Sequence, residues 1–233
     1  MKKPFLTGVK DGIPIALGYL SVSFGFGILA AGAGLTAAEA WIISAANLTS
    51  AGQVAGVGII AAAGSLWEMV LTQLVINIRY SLMALSLSQK LDKSFHTPQR
   101  LLVAYGITDE IFAVSHSKEG KLVPSYMYGI ILISFLGWTT GTWLGAAAGD
   151  ILPAALTDAM GIMLYGMFLA IVLPEIRKSR GILVVAAAAA LVSILFYFVF
   201  TAVSGGFAVI LSAVAAAALG AWLFPVDEEE EEA

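Results

Sequence analysis

Apolar residues run along most of this chain in blocks of about twenty, separated by short polar punctuation. The blocks are Ile13–Ala31, Ala37–Ala63, Leu66–Leu87, Tyr126–Ala148, Ala155–Leu173, Ile182–Thr201 and Phe207–Phe224. A helix needs about 20 apolar residues to cross a bilayer. The pattern therefore predicts an all-α polytopic membrane protein with about seven transmembrane segments, or five or six if the second block does not cross. One connection is long: Ser88–Ser125 is polar at its start and carries a moderately apolar piece, Leu101–Ala113, suited to either an interfacial or a re-entrant helix.

Polar residues inside the blocks mark where chemistry is expected. The second block is interrupted by Ala46-Asn47-Leu48-Thr49-Ser50-Ala51-Gly52-Gln53. Ser or Thr followed by Gly is helix-end chemistry, and two amides flank the interruption, which favours a broken helix over a kinked one. A kinked helix would let Thr49 and Ser50 bond back to their own turn. In transporters such breaks lie at the midplane, where half-helix N-termini meet carboxylates. Asn47, Ser50, Gly52 and Gln53 are accordingly substrate-binding candidates, with the N–H groups near Gly52 and Gln53 aimed at a carboxylate.

The third block carries Arg79, and a cation at mid-membrane costs about 2.5–3.5 kcal/mol even on the lenient insertion scale. At 100° per residue, Gln73, Asn77 and Tyr80 share one stripe and Glu68, Thr72 and Arg79 another. Glu68 and Arg79 are roughly 16 Å apart along one helix. Arg79 thus needs an acceptor from elsewhere in the bundle, unless its head snorkels to the interface. Asn77 and Arg79 complete the substrate-binding candidates. Glu68, Asp109, Glu110 and Asp158 are the proton-coupling candidates, because carboxylates with raised pKa carry protons in transporters. Structural alternatives stand beside them: Asp158 suits a helix start, and Thr108-Asp109-Glu110 a capped surface turn.

Ser23-Phe24-Gly25 before Gly34-Leu35-Thr36 resembles Ser134-Phe135-Leu136-Gly137 before Gly149-Asp150-Ile151. Three segments per copy would make these inverted repeats. The organisation expected is one transmembrane domain over 1–225: repeat one about 12–91, a polar loop 92–121, repeat two about 122–201, and an extra helix 206–224. An acidic tail, 226–233, follows. Gly137, Gly141, Gly145 and Gly149 recur every fourth residue and Gly18, Gly25 and Gly32 every seventh. Both series predict close helix packing in lipid.

Composition agrees with the pattern. The chain is 59% hydrophobic and 12% charged, with mean hydropathy +0.91, where soluble domains carry about 25% charged residues. The formal charge of −4 owes six acids to the run Asp227–Glu232, read as a solvated end. No cysteine is present, so disulfides and thiolate ligands are excluded. His96 and His116 do not form a metal spacing. No nucleophile–base pairing, phosphate loop or nucleic-acid patch is found, so no enzyme activity, metal or cofactor is expected. The N-terminus lacks a small-residue cleavage site and is read as retained. With seven spans, Lys90, Lys93, Arg100, Lys118, Lys121, Arg177, Lys178 and Arg180 share one side and Lys2, Lys3 and Lys10 lie opposite. That count favours an outside N-terminus, while the early lysines pull the other way.

These residues resemble the AzlC family, the large subunit of branched-chain amino acid exporters. The likeness covers essentially the whole chain. It rests on Gly12 with the glycine-rich stretch Pro14 to Gly27, on Ser50-Ala51-Gly52-Gln53, on Ile76-Asn77-Ile78-Arg79-Tyr80 and on Thr108-Asp109-Glu110. Family members commonly have His after the Arg; here Tyr80 stands there. The resemblance implies proton-driven export of valine, leucine, isoleucine and similar small apolar amino acids across the cytoplasmic membrane. It also implies a small AzlD-type membrane partner. A channel for a small neutral solute and a non-transporting structural subunit are the alternative readings.

Overall fold

The computed structural model describes residues 2–148, 166, 169, 172–174 and 176–225. The helices are α1 (Lys2–Gly32), α2 (Ala37–Ala46), α3 (Ala51–Ala61), α4 (Leu66–Asn77) and α5 (Arg79–Ser88). They continue with α6 (Thr97–Tyr105), α7 (Asp109–Ser117), α8 (Pro124–Ala148), α9 (Arg180–Phe198) and α10 (Gly205–Leu223). No strand occurs among the described residues; a single bridge joins Leu91 to Leu122. Among the described residues four helices, α1, α8, α9 and α10, are long and apolar enough to cross a membrane, and the bent pair α4–α5 makes a fifth if it is one span. This is an all-α, multi-pass membrane protein. Most of the fifth apolar block, Asp158, Gly149 and the acidic run Asp227–Glu232 lie outside the described residues.

Helix ends follow the local sequence. Thr36 caps α2 by accepting the Glu39 N–H at 3.2 Å, and the Glu39 carboxylate accepts the Thr36 N–H at 2.8 Å. That reciprocal box fixes where α2 begins. Its end comes at Asn47, whose backbone is extended (φ −147°), so the second block is broken at residues 47–50. The third block was expected to be one helix, yet it is interrupted at Ile78 between α4 and α5. Arg79 therefore opens a new helix, and the stripe joining Gln73 and Asn77 to Tyr80 does not hold. Neither proline nor glycine marks that interruption, which leaves no local signal for it in the sequence.

The described residues form two interleaved compact units, one of residues 1–57 with 76–164 and one of 58–75 with 165–233. In the first, α1 and α8 lie backbone to backbone. A Cβ at Gly137, Gly141 or Gly145 would strike the backbone of Ala16, Leu20 or Phe24, and one at Gly8 or Gly27 would strike Tyr126 or Thr142. The four-residue series is therefore a packing seam, as expected for small residues in lipid. The seven-residue series is not: added carbons at Gly18 and Gly32 meet nothing. We expect Gly145→Val to lower the thermal unfolding midpoint in detergent, at an overpacking cost of about 1–3 kcal/mol or more. Gly18→Val should lower it far less.

Contacts along the seam rise together in number, from Phe5 against Gly129 to Phe24 against Gly145. α1 and α8 thus run parallel, which corrects two expectations. The first helices of the two proposed repeats are not inverted with respect to each other, and an odd number of crossings must separate them rather than two. Lys2 and Lys3 also share an end with the central loop instead of lying opposite. Lys3, Lys118 and Lys121 line one cavity, and Lys118 pairs with Asp11 of α1 at 3.5 Å.

From that lysine-bearing end, α6 and α7 form a helical hairpin that re-enters the unit. Its tip reaches the middle of the seam, where Thr108 meets Tyr19 and a Cβ at Gly106 would strike Ile131. The return is fastened by the Lys90 ammonium, which donates to the carbonyls of His116 and Lys118. Leu101–Ala113, expected as one apolar piece, is divided between α6 and α7, with the turn at residues 106–108 between them.

In the second unit, Glu68 is 5% exposed. Its Oε1 accepts the Ser204 hydroxyl at 2.5 Å and the Gly206 N–H at 3.0 Å. Glu68 thereby satisfies the N-terminus of α10, where a carboxylate is favoured by the exposed donors and the helix dipole. Gly206 is obligatory there, since a Cβ would meet both Glu68 and Thr72.

Candidate functional site

The break between α2 and α3 and the tip of the α6–α7 hairpin meet at the middle of the α1–α8 seam. Gln53, in the first turn of α3, is 1% exposed. Its Nε2 donates to Ser44 Oγ at 2.8 Å, and its Oε1 accepts from Trp138 Nε1 at 2.9 Å. Ser44 shares a further bond of 2.7 Å with Thr142 of α8. A buried amide needs such partners, because leaving one polar group unpaired costs about 1–3 kcal/mol. Gln53 thus ties both sides of the break to α8.

Trp138 carries the connection onward. Its ring meets Tyr19 of α1 edge to face, with centroids 5.1 Å apart. The Tyr19 hydroxyl lies 2.6 Å from Thr108 Oγ1 and 2.5 Å from Glu110 Oε2. Thr108 also caps α7 by accepting the Ile111 N–H. Asp109, beside it in the first turn of α7, pairs with the Arg79 guanidinium. Arg79 lies over the Tyr80 ring, 4.9 Å from its centroid, and donates to the Tyr80 hydroxyl at 3.3 Å. The acceptor that Arg79 needs is therefore Asp109, thirty residues away in sequence. The pair is half-buried, with the two side chains 42% and 37% exposed.

Beside these groups lies a cavity of about 110 Å³. Asn47, Thr49, Tyr80 and Tyr105 bring polar groups to its lining; Leu48, Ala104 and Ile107 bring apolar ones. The Thr49 hydroxyl is buried and makes no hydrogen bond. Tyr105 donates to the Ala45 carbonyl near the end of α2, satisfying a group that the break would otherwise strand. Such a lining can hold a small molecule with one apolar and one polar part. At this size it is smaller than the apolar cavity of about 150 Å³ that holds benzene, so a larger molecule would have to widen it.

The sequence-based candidates separate in this setting. Asn47 lines the cavity, Tyr80 joins it to Arg79, and Gln53 stands in the buried network. Ser50 is half-buried, and its carbonyl accepts the Val54 N–H at 3.1 Å. The Gly52 N–H bonds to the Thr49 carbonyl at 2.7 Å, so it closes the turn instead of facing a carboxylate. Asn77 ends α4 at the interruption before Arg79. Asp109 and Glu110 join the cluster, whereas Glu68 belongs to the second unit. Asp158 lies outside the described residues.

The AzlC protein family model matches residues 14–152, a span holding the whole junction. The chain belongs to the AzlC family. It is 30% identical to the Inner membrane protein YgaZ of Escherichia coli K12, across 78% of this chain and 77% of that protein. It is 31% identical to an uncharacterized membrane protein of Archaeoglobus fulgidus, across 74% and 76%. An uncharacterized membrane protein of Helicobacter pylori J99 is 28% identical across 76% and 79%. No solved structure matches.

Three aromatic members of this AzlC junction escape a reading of sequence, Tyr19, Trp138 and Tyr105, as do the hydroxyls of Ser44 and Thr142. Each of the three aromatics lies in an apolar stretch where such a residue reads as packing. Their polar tips are the only available signal, since a buried Tyr O–H or Trp N–H needs a partner.

Proposed function

We propose that this protein is a secondary transporter that exports small apolar amino acids, of the branched-chain type, across the cytoplasmic membrane in exchange for protons. The observation that carries this reading is the cavity at the break. It is small, lined by both polar and apolar residues, and adjoins a half-buried arginine–carboxylate pair. Broken helices that meet at mid-depth are a known way to place such a site in a membrane protein. Leu48, Ala104 and Ile107 suit an aliphatic side chain; Asn47 and Tyr80 suit the zwitterionic end.

Proton coupling is assigned to Glu110 and Asp109, since protonation of either would loosen a bond at the hairpin tip: Tyr19 to Glu110, or Arg79 to Asp109. An AzlD-type small membrane subunit is part of the proposal, on the family's account. The topology proposed has α2–α3 and α6–α7 as re-entrant pairs. Crossings are assigned to α1, α4–α5, α8, α9 and α10. Lysines from both α1 and the central loop then share the cytoplasmic side.

Purified protein in liposomes, with and without a co-encoded small membrane protein, should exchange labelled valine in a saturable counterflow. Net efflux down an imposed proton gradient should stop when a protonophore is added. Flux that neither saturates nor responds to the protonophore would favour a channel for a neutral solute. Absence of flux with and without the small subunit would favour a structural role.

A further inference from the structure

The lysine-bearing end of the α1–α8 seam contains two cavities that the transport reading does not use. One, of about 340 Å³, is lined by Lys3, Thr7, Lys118, Lys121 and Tyr126. The other, of about 370 Å³, is lined by Lys2, Phe5, Leu6, Ser125 and Tyr128. Both are built by the first turns of α1 and the chain entering α8, so a polar pocket and an apolar groove flank the same helix pair. Leu6 is 57% exposed in that groove.

Charge in the pocket is unbalanced. Three ammonium groups line it, and the carboxylate close to them is Asp11, 3.5 Å from Lys118. Lys118 is fixed further by the Tyr126 ring, 4.5 Å from its centroid, and Lys121 by the Gln89 carbonyl at 2.7 Å. An ammonium has three donors, so both retain donors for another ligand while held in place. Lys3 has no acidic partner among the described residues. α1 and α8 are both of spanning length, which puts their shared end at headgroup depth. Basic pockets at that depth, next to an apolar groove, have the chemistry of a site for anionic lipid.

We propose that this end of the protein binds an anionic phospholipid, with its phosphate among Lys3, Lys118 and Lys121 and an acyl chain along Phe5, Leu6 and Tyr128. The whole protein, purified in a neutral detergent, would be titrated with dioleoyl phosphatidylglycerol, dioleoyl phosphatidylcholine or inorganic phosphate. Binding is read by native mass spectrometry and by the thermal midpoint. Phosphatidylglycerol should bind and stabilise, phosphatidylcholine should do so far less, and phosphate alone should not reproduce the effect. Each lysine replaced by alanine should weaken phosphatidylglycerol binding about fivefold. Replacing Lys10, Lys93 and Arg100 instead should leave it unchanged.

The variant with arginine at all three positions tests folding, and it should keep the lipid. Lys3→Glu alone supplies a second test, because Lys3 anchors no partner. Equal binding of phosphatidylglycerol by wild type, the triple alanine variant and Lys3→Glu would overturn the proposal. An equal response to inorganic phosphate would overturn it as well, reducing the pocket to an anion site.

Discussion

Arg79→Ala is expected to abolish valine efflux from loaded cells while the protein still inserts in the membrane. The guanidinium holds Asp109 at the first turn of α7 and the hydroxyl of Tyr80 on the cavity wall. Its removal leaves a half-buried carboxylate unpaired and frees Tyr80 at the same moment. The unpaired group alone costs about 1–3 kcal/mol, discounted here because both side chains keep contact with solvent. Each ~1.4 kcal/mol is a factor of ten in rate, so the unpaired carboxylate by itself accounts for a loss of the order of tenfold, and release of Tyr80 from the cavity wall supplies the rest. Asp109→Asn should act in the same direction, and exchanging the two charges, Arg79→Asp with Asp109→Arg, should recover part of the flux. Arg79→Lys should be intermediate, since an ammonium lacks the planar fork that reaches two acceptors. Normal efflux in both single alanine or asparagine variants would remove the pair from the mechanism.

A second large effect is expected at Gln53. Gln53→Leu keeps the volume but strands the Trp138 N–H in a buried position and removes the donor to Ser44. We expect the thermal midpoint to fall by an amount equivalent to about 1–3 kcal/mol, together with loss of valine counterflow. The double variant Gln53→Leu, Trp138→Phe removes both partners, which can be nearly neutral for stability. It should regain most of the midpoint but none of the transport. Recovery of both would mean that Gln53 serves packing alone.

Much of the architecture was legible in the chain because lipid demands long apolar helices and punishes polar interruptions. α1, α8, α9 and α10 lie inside the apolar blocks or overlap them, and the Asn47–Ser50 break stands where amides and hydroxyls interrupt one. What was not legible is partnership across the bundle. Helical spacing showed that Glu68 could not serve Arg79, but no periodicity within one helix points to Asp109 on another. The seven-residue glycine series misled for a related reason. Recurrence along α1 says nothing about which face meets α8, and the close approaches fall at Gly8, Gly12 and Gly27. Interruption at Ile78 went unseen because the residues around it carry no breaker. Trp138 and Tyr19 were hidden by their own hydrophobicity.

The seam between α1 and α8 also constrains how this protein can move. Backbone seated against backbone at Ala16, Leu20 and Phe24 leaves no side-chain layer to shear, so neither helix can slide past the other without collision. The pair behaves as a fixed mast. On the proposed transport reading, any motion that opens the cavity to alternate sides of the bilayer would come from the short half-helices around it. Their ends are tied to that mast by the bonds of Gln53 to Trp138 and of Ser44 to Thr142, by those of Tyr19 to Thr108 and Glu110, and by the close approach of Gly106 to Ile131.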